Sequence, residues 1–184
     1  MEYAKPQKLP DGRYFLKITS NGSAVRHQVN GLTLQDNLDA RHPNFEVADA
    51  ALFTSIDEEI LTKAKEHKQE WFGKELSDET IVSAFQESVT DGVLGTSLAV
   101  LRGEVVTLAF DTAKQPLKLE DVKSGTKCDV VLELSGLWFL KKSFGPIWRV
   151  VQVRVRTPVS KVLPQEYMFT DEPEVEENPA DYLD

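Results

Sequence analysis

Residues 136–156 read GLWFLKKSFGPIWRVVQVRVR. Within them Lys141, Lys142, Arg149, Arg154 and Arg156 are interleaved with Trp138, Phe139, Phe144 and Trp148, and no Asp or Glu intervenes. Cations spaced along a groove suit phosphates, and flat apolar rings suit unpaired bases, so this mixture is the chemistry of single-strand nucleic-acid contact. Stacking contributes about 1–3 kcal/mol per base with little dependence on which base it is. Each phosphate contact adds a salt-dependent increment through counterion release. A plainer reading stands beside it: tryptophans fill β cores, and strand lysines and arginines blunt an exposed edge.

Strict alternation assigns faces to these side chains. It sets Ile147, Arg149, Val151, Val153 and Val155 on one side, mainly a core face. Trp148, Val150, Gln152, Arg154 and Arg156 then fall on the other, an amphipathic face. On the preceding run, Trp138, Leu140 and Lys142 oppose Leu137, Phe139 and Lys141, with Phe139 read as core. Two neighbouring strands would thus bring aromatics and cations to one surface. Tyr14 and Lys17, near the start of the chain, would extend that surface if the sheet curls back on itself.

The elements that must position these residues are mostly strands. "GRYFLKITS" is rich in aromatic and β-branched types, and Asn21-Gly22 after it is a hairpin signal, followed by "AVRHQVNGLTLQ". "NFEVADAALF" offers a weaker extended segment or a short helix. Ser55 with Glu58 marks a capping box, and Ile56, Ile60, Leu61, Ala64, Lys68, Trp71 and Phe72 recur at helical spacing up to Gly73. Ser77 caps a second helix that turns Ile81, Phe85 and Val89 inward and stops near Thr90-Asp91-Gly92. "GEVVTLAFDT" alternates as a strand, and "CDVVLELSGLWFLKK" is a long one with a bulge or bend at Gly136. "SFGP" turns the chain into "IWRVVQVRVR".

This order predicts a mainly β chain with a helical insertion, built as an OB-like antiparallel barrel; a two-layer α+β antiparallel sheet is the alternative. Residues 1–11 read as a leader, 12–164 as one domain with its insertion at about 55–90, and 165–184 as an acidic tail. The tail's composition predicts disorder, because from Thr170 onward it holds seven acids and no base. Those acids are Asp171, Glu172, Glu174, Glu176, Glu177, Asp181 and Asp184, with Tyr182 among them. Without them 23 acids face 21 bases, so most of the formal −9 belongs to the tail.

Other chemistries leave no trace. His27, His42 and His67 are scattered, and one cysteine, Cys128, has no partner, so neither a zinc spacing nor an internal disulfide is present. No glycine pattern cradles a phosphate and no nucleophile elbow frames a serine, so the reading is not an enzyme and needs no cofactor or metal. No run is long and apolar enough to span a bilayer, and the start lacks a signal-peptide core. An intracellular protein is expected.

Two stretches, EWFGKELSDETIVSAFQESV at 70–89 and LELSGLWFLKKSFGPIWRVVQVRV at 132–155, together with the acidic C-terminal segment, resemble a family of small proteins from nucleocytoplasmic large DNA viruses. That family is held to be related to the OB-fold single-stranded-DNA-binding proteins of short-tailed phages. The resemblance covers roughly residues 10–160. It implies a replication or recombination protein in the host cytoplasm or nucleus that coats single-stranded DNA. It also implies that the acidic tail occupies the DNA groove when DNA is absent and recruits replication partners. The phage pattern places a phenylalanine at or beside the terminus, where this chain has Tyr182 in "ADYLD".

Two functions of different class therefore compete. The first is a sequence-nonspecific single-stranded-DNA-binding protein using Trp138, Lys141, Lys142, Trp148, Arg149, Arg154, Arg156, Tyr14 and Lys17, with the tail as a regulatory segment. The second is a structural or scaffolding protein, such as a minor virion component, whose basic strip meets an acidic protein. Neither involves a membrane, and both leave room for a homodimer.

Overall fold

The structure, a computed structural model, describes residues 1–156. The acidic segment and the expected end of the domain at 164 lie outside the described residues. The main strands are β1 (Tyr14–Thr19), β2 (Val25–Leu34), β3 (Asn44–Glu46), β4 (Val93–Gly95), β5 (Ser97–Leu98), β6 (Leu108–Phe110), β7 (Lys127–Phe139) and β8 (Phe144–Val155). The helices are α1 (Ala51–Glu66), α2 (Lys68–Phe72) and α3 (Asp78–Ala84).

The strands form one open, mixed sheet. β7 pairs antiparallel with β8 on one edge and with both β1 and β2 on the other. β2 pairs with β3 and β3 with β4. One residue later β5 pairs parallel with β8, through Arg149↔Ser97 and Val150↔Leu98. That two-residue parallel contact does not close the barrel, because β4 and β5 do not pair with each other; the fold is an open, mixed, OB-like sheet with helices inserted between β3 and β4. The mainly β architecture with a helical insertion is the one expected. The sheet is mixed where an antiparallel one is expected, since β5 and β6 both pair parallel with β8, and the first hairpin also differs. β1 and β2 do not form a hairpin; they succeed one another along the same edge of β7, facing Phe139–Gly136 and Leu134–Lys127. Asn21 and Gly22 do adopt positive φ (48° and 73°) in a tight turn closed by mutual Ser20–Ser23 hydrogen bonds. The turn is a protrusion from one long bent strand. β7 captures both halves because their inward residues, Leu16, Ile18, Val25 and Leu32, all belong to one core. The first residues also join this sheet, as Glu2–Tyr3 and Gln7–Lys8 pair with β1.

The insertion follows local chemistry. α1 begins at Ala51, earlier than the Ser55 signal, because the Asp49 side chain accepts the Ala51 N–H. His67 breaks the run, and α2 ends at Gly73 in the left-handed region (φ 69°). Ser77 caps α3 by accepting the Thr80 N–H. α3 stops at Ala84, before the expected Thr90, because Phe85 turns extended and bridges to Phe144. Phe53, Ile56, Ile60 and Ala64 of α1 join the core. A second aromatic cluster, Trp71 and Phe72 against Phe139 and Phe144, fastens α2 to the β7–β8 turn. Among the described residues no helix is long and apolar enough to cross a membrane.

Candidate nucleic-acid interface

β8 changes phase midway. Val131 pairs with Gln152 but Leu132 pairs with Val150, so Val151 is an extra residue. A bulge reverses which side chains face the core. Beyond it the expected faces hold, with Val153 buried and Gln152, Arg154 and Arg156 exposed. Before it they are inverted: Trp148 and Val150 are buried, while Ile147 and Arg149 turn outward, half-buried. A second register shift, between Leu134 and Gly136, keeps Leu134 and Leu137 inward and leaves Gly136 and Trp138 on the outer face.

Trp148 is accordingly no stacking platform. It is 2% exposed, and its Nε1 donates to Ser88 Oγ at 2.8 Å. Ser88 in turn donates its hydroxyl and its N–H to the buried Asp57 carboxylate, at 2.6 and 2.7 Å. Burial pushes the Asp57 carboxyl up, against the two bonds from Ser88. The network ties β8, the segment after α3 and α1 together.

The outer face beside it is a different surface. Phe15 of β1 and Trp138 of β7 are cross-strand partners, so they lie side by side on it. Each ring lies against a glycine. A Cβ on Gly136 would sit 2.5 Å from the Phe15 ring, and one on Gly145 would sit 3.2 Å from the Trp138 ring. Two strands that would ordinarily raise side chains here leave bare backbone for the rings to lie on. The rings line a groove of about 920 Å³ together with Tyr14, Ile147 and Arg149, and with Asp39, Arg41 and His42 from the β2–β3 loop. Lys17 and Arg149 share the adjoining recess of about 370 Å³ with Phe15. No ion pair engages Lys17, Arg41 or Arg149 among the described residues, whereas Arg13, which also lines the groove, is bound by Asp11.

The basic strip of 136–156 thus divides into three. Arg149 joins Trp138 and Tyr14 at the groove and Lys17 in the recess beside it. Lys141 and Lys142 sit at the β7–β8 turn, over a separate cavity of about 620 Å³ shared with Lys74, Phe72 and Phe144; Tyr14 lies between the two spaces. Arg154 and Arg156, at the far end, both bind Asp129 at 2.6 Å. Asp129 faces Arg154 across the β7–β8 pairing and also accepts the Gly31 N–H at 3.0 Å. The apparent absence of a neutralising acid was a matter of sequence distance. Phe15, Arg41 and His42 were missed. "YF" in the first strand alternates one aromatic to each face, and "ARHP" is a small basic loop, but neither is remote from ordinary sequence.

Burial alone would raise the Asp129 carboxyl, but the hydrogen bonds from Arg156, Arg154 and Gly31 outweigh it and hold it below its ordinary value. A carboxyl lower in the folded than in the unfolded chain stabilises above the unfolded value, near 4, and that stability is lost as pH falls through the folded one. The urea midpoint of the native chain should therefore drop more steeply below about pH 5 than that of Asp129→Asn. Equal slopes would remove Asp129 from the acid response.

No group of three His, Cys, Asp or Glu side chains among the described residues could hold a metal ion. Cys128 is buried, and burial pushes its thiol up to about 12, which makes it a poor nucleophile.

The chain belongs to a family of unknown function (DUF5871), whose model matches residues 30–171. No curated protein matches the chain. Similar solved structures are of a single-stranded DNA-binding protein from bacteriophage Enc34. Its C-terminal truncation has a TM-score of 0.49 at 12% identity, covering 78% of this chain and 95% of that one. Its complex with single-stranded DNA has a TM-score of 0.48 at 13% identity, covering 85% and 97%. A further structure of the same phage protein has a TM-score of 0.48 at 13% identity, covering 96% and 95%.

Proposed function

We propose that this member of a family of unknown function is a non-enzymatic, sequence-nonspecific single-stranded-DNA-binding protein. The observation that carries the reading is the pair of rings, Phe15 and Trp138, laid on glycine backbone in a groove with unpaired cations. Bases stack on the two rings, and Lys17, Arg41 and Arg149 meet the phosphates beside them. None of these groups reads a base edge, which is why no sequence preference is expected. Three phosphate contacts on a single strand give a log–log salt slope of about −2. Lys141 and Lys142 border a different space, and Arg154 and Arg156 are engaged by Asp129, so they add little to this groove.

The resemblance read from 70–89 and 132–155 supports a role in viral replication or recombination. The segregated acids, Asp171, Glu172, Glu174, Glu176, Glu177, Asp181 and Asp184, with Tyr182, form a segment that competes with phosphate for the same cations and recruits replication proteins.

The test is tryptophan fluorescence titrated with oligo(dT) of increasing length, with duplex DNA, and with the chain ended after Phe169. Trp71 and Trp148 are buried, so quenching reports on Trp138. Stronger quenching by single strands, weakening with salt and tightening on truncation, is expected. Trp138→Ala should abolish the quench and, read by anisotropy of a labelled oligo(dT), weaken binding about 5- to 100-fold, the loss of one stacked base, at an unchanged urea midpoint. No binding by the native chain at low salt in either form would overturn the reading.

A further inference from the structure

Part of the groove's lining does not belong to the main sheet. Between β5 and β6 the chain leaves as a hairpin, Val100–Leu101 paired with Glu104–Val105. Arg102 and Gly103 turn it, with φ of 52° and 85°. An isolated two-stranded hairpin is marginal in water. This one is fixed at its base by Thr107, 5% exposed, whose hydroxyl donates to the Val150 carbonyl at 2.6 Å and accepts the Ala99 N–H at 2.9 Å. The Val106 N–H closes the base by donating to the Ala99 carbonyl. β8, which carries Ile147 and Arg149 into the groove, therefore also sets where the hairpin stands.

Its surface is at odds with a life in water. Val100, Leu101, Val105 and Val106 are 48, 63, 50 and 44% exposed. The register orders this apolar surface: Val100 lies opposite Val105, so both project from one face, and Leu101 lies opposite Glu104 on the other. The Val100–Val105 face lines the same groove as Phe15 and Trp138. Arg102, at the tip, has no ion-pair partner among the described residues. A β-branched pair and two aromatic rings lining one open groove are complementary to a flat apolar body held in it.

We infer that the hairpin is the second jaw of the groove: bases lie between the Phe15–Trp138 rings and the Val100–Val105 pair, with Arg102 meeting the phosphate chain outside. This rests on the single-strand reading above and extends it. Base faces are covered on both sides, so unpaired bases are admitted and stacked pairs of a duplex are not.

The experiment uses the full chain carrying both Val100→Ser and Val105→Ser, with Leu101→Ser as the control on the opposite face. Oligo(dT) affinity is read by Trp138 quenching across a salt series, and mass by sedimentation velocity. The double variant should bind roughly tenfold more weakly with an unchanged salt slope. Leu101→Ser should bind as the native chain does; with Arg102 as a fourth contact the native slope should steepen to about −2.8, and Arg102→Ala should return it to about −2. Native-like affinity in the double variant overturns the second jaw while the native chain's quenching leaves the groove reading intact. Equal weakening by Leu101→Ser, or a loss of affinity that accompanies dissociation of a native dimer, also overturns it and assigns the hairpin to contact between copies. Absence of binding by the native chain fails the groove reading itself.

Discussion

Replacing Trp148 with alanine should lower the unfolding free energy by roughly 3–5 kcal/mol, the largest effect expected of any single side chain in the strip. The ring is 2% exposed and packs edge-on against Phe53 of α1, with centroids 5.2 Å apart. His27 of β2 meets it at 6.1 Å from another side. Removing it empties a large volume where a helix and two strands converge, and such sites relax only partly. It also strips Ser88 Oγ of the Nε1 donor in a chain that ends on the buried Asp57. Trp148→Phe separates these effects in part, since it keeps most of the volume and loses the hydrogen bond, so it should cost about 1–3 kcal/mol. Urea unfolding followed by far-UV circular dichroism measures both. If Trp148→Ala unfolded like the native chain and lost only oligonucleotide affinity, the ring would be a platform and the core assignment would be wrong.

Trp148 also marks where sequence reasoning stops. Alternation is a sound rule, and it placed Val153, Arg154 and Arg156 on their observed faces. One extra residue at Val151 reverses the rule for everything before it, and nothing in "WRVVQVRVR" distinguishes the bulged valine from its neighbours. The helical insertion was more legible because caps are local: Ser77 and Gly73 act within one turn of themselves. Partners distant in sequence were not. Asp129 neutralises Arg154 and Arg156 across a hairpin, and Arg41 reaches the groove from a loop more than a hundred residues before Arg149. The hairpin signal at Asn21-Gly22 gave the right turn and the wrong partners. Turn chemistry fixes a local reversal, whereas the choice of β7 as common partner is decided by which residues share the core.

Gly136 is where the sequence predicts a bend in β7, and its packing has a specific consequence. Gly136→Ala should destabilise the chain by about 1–3 kcal/mol and impair oligonucleotide binding together. A Cβ there would lie 2.0 Å from the Leu16 carbonyl oxygen and 2.5 Å from the Phe15 ring. The ring can swing, but the carbonyl belongs to the backbone of β1, which can yield only by drawing away from β7 at the Gly136↔Lys17 pair. Both relaxations displace Phe15 from beside Trp138. Gly145→Ala meets the Gln86 carbonyl at 2.8 Å and the Trp138 ring at 3.2 Å, so it should disturb the same platform less. Gly95→Ala is the control within the groove, because its Cβ would find only Asn44 Oδ1, at an ordinary 3.8 Å. Urea midpoints and oligo(dT) titrations of the three variants should fall in the order of these distances, Gly136→Ala worst and Gly95→Ala close to native. If Gly136→Ala matched Gly95→Ala in both measurements, bare backbone would not be what seats the rings. If it lost stability but kept full affinity, Phe15 would be dispensable and Trp138 alone would carry the stacking.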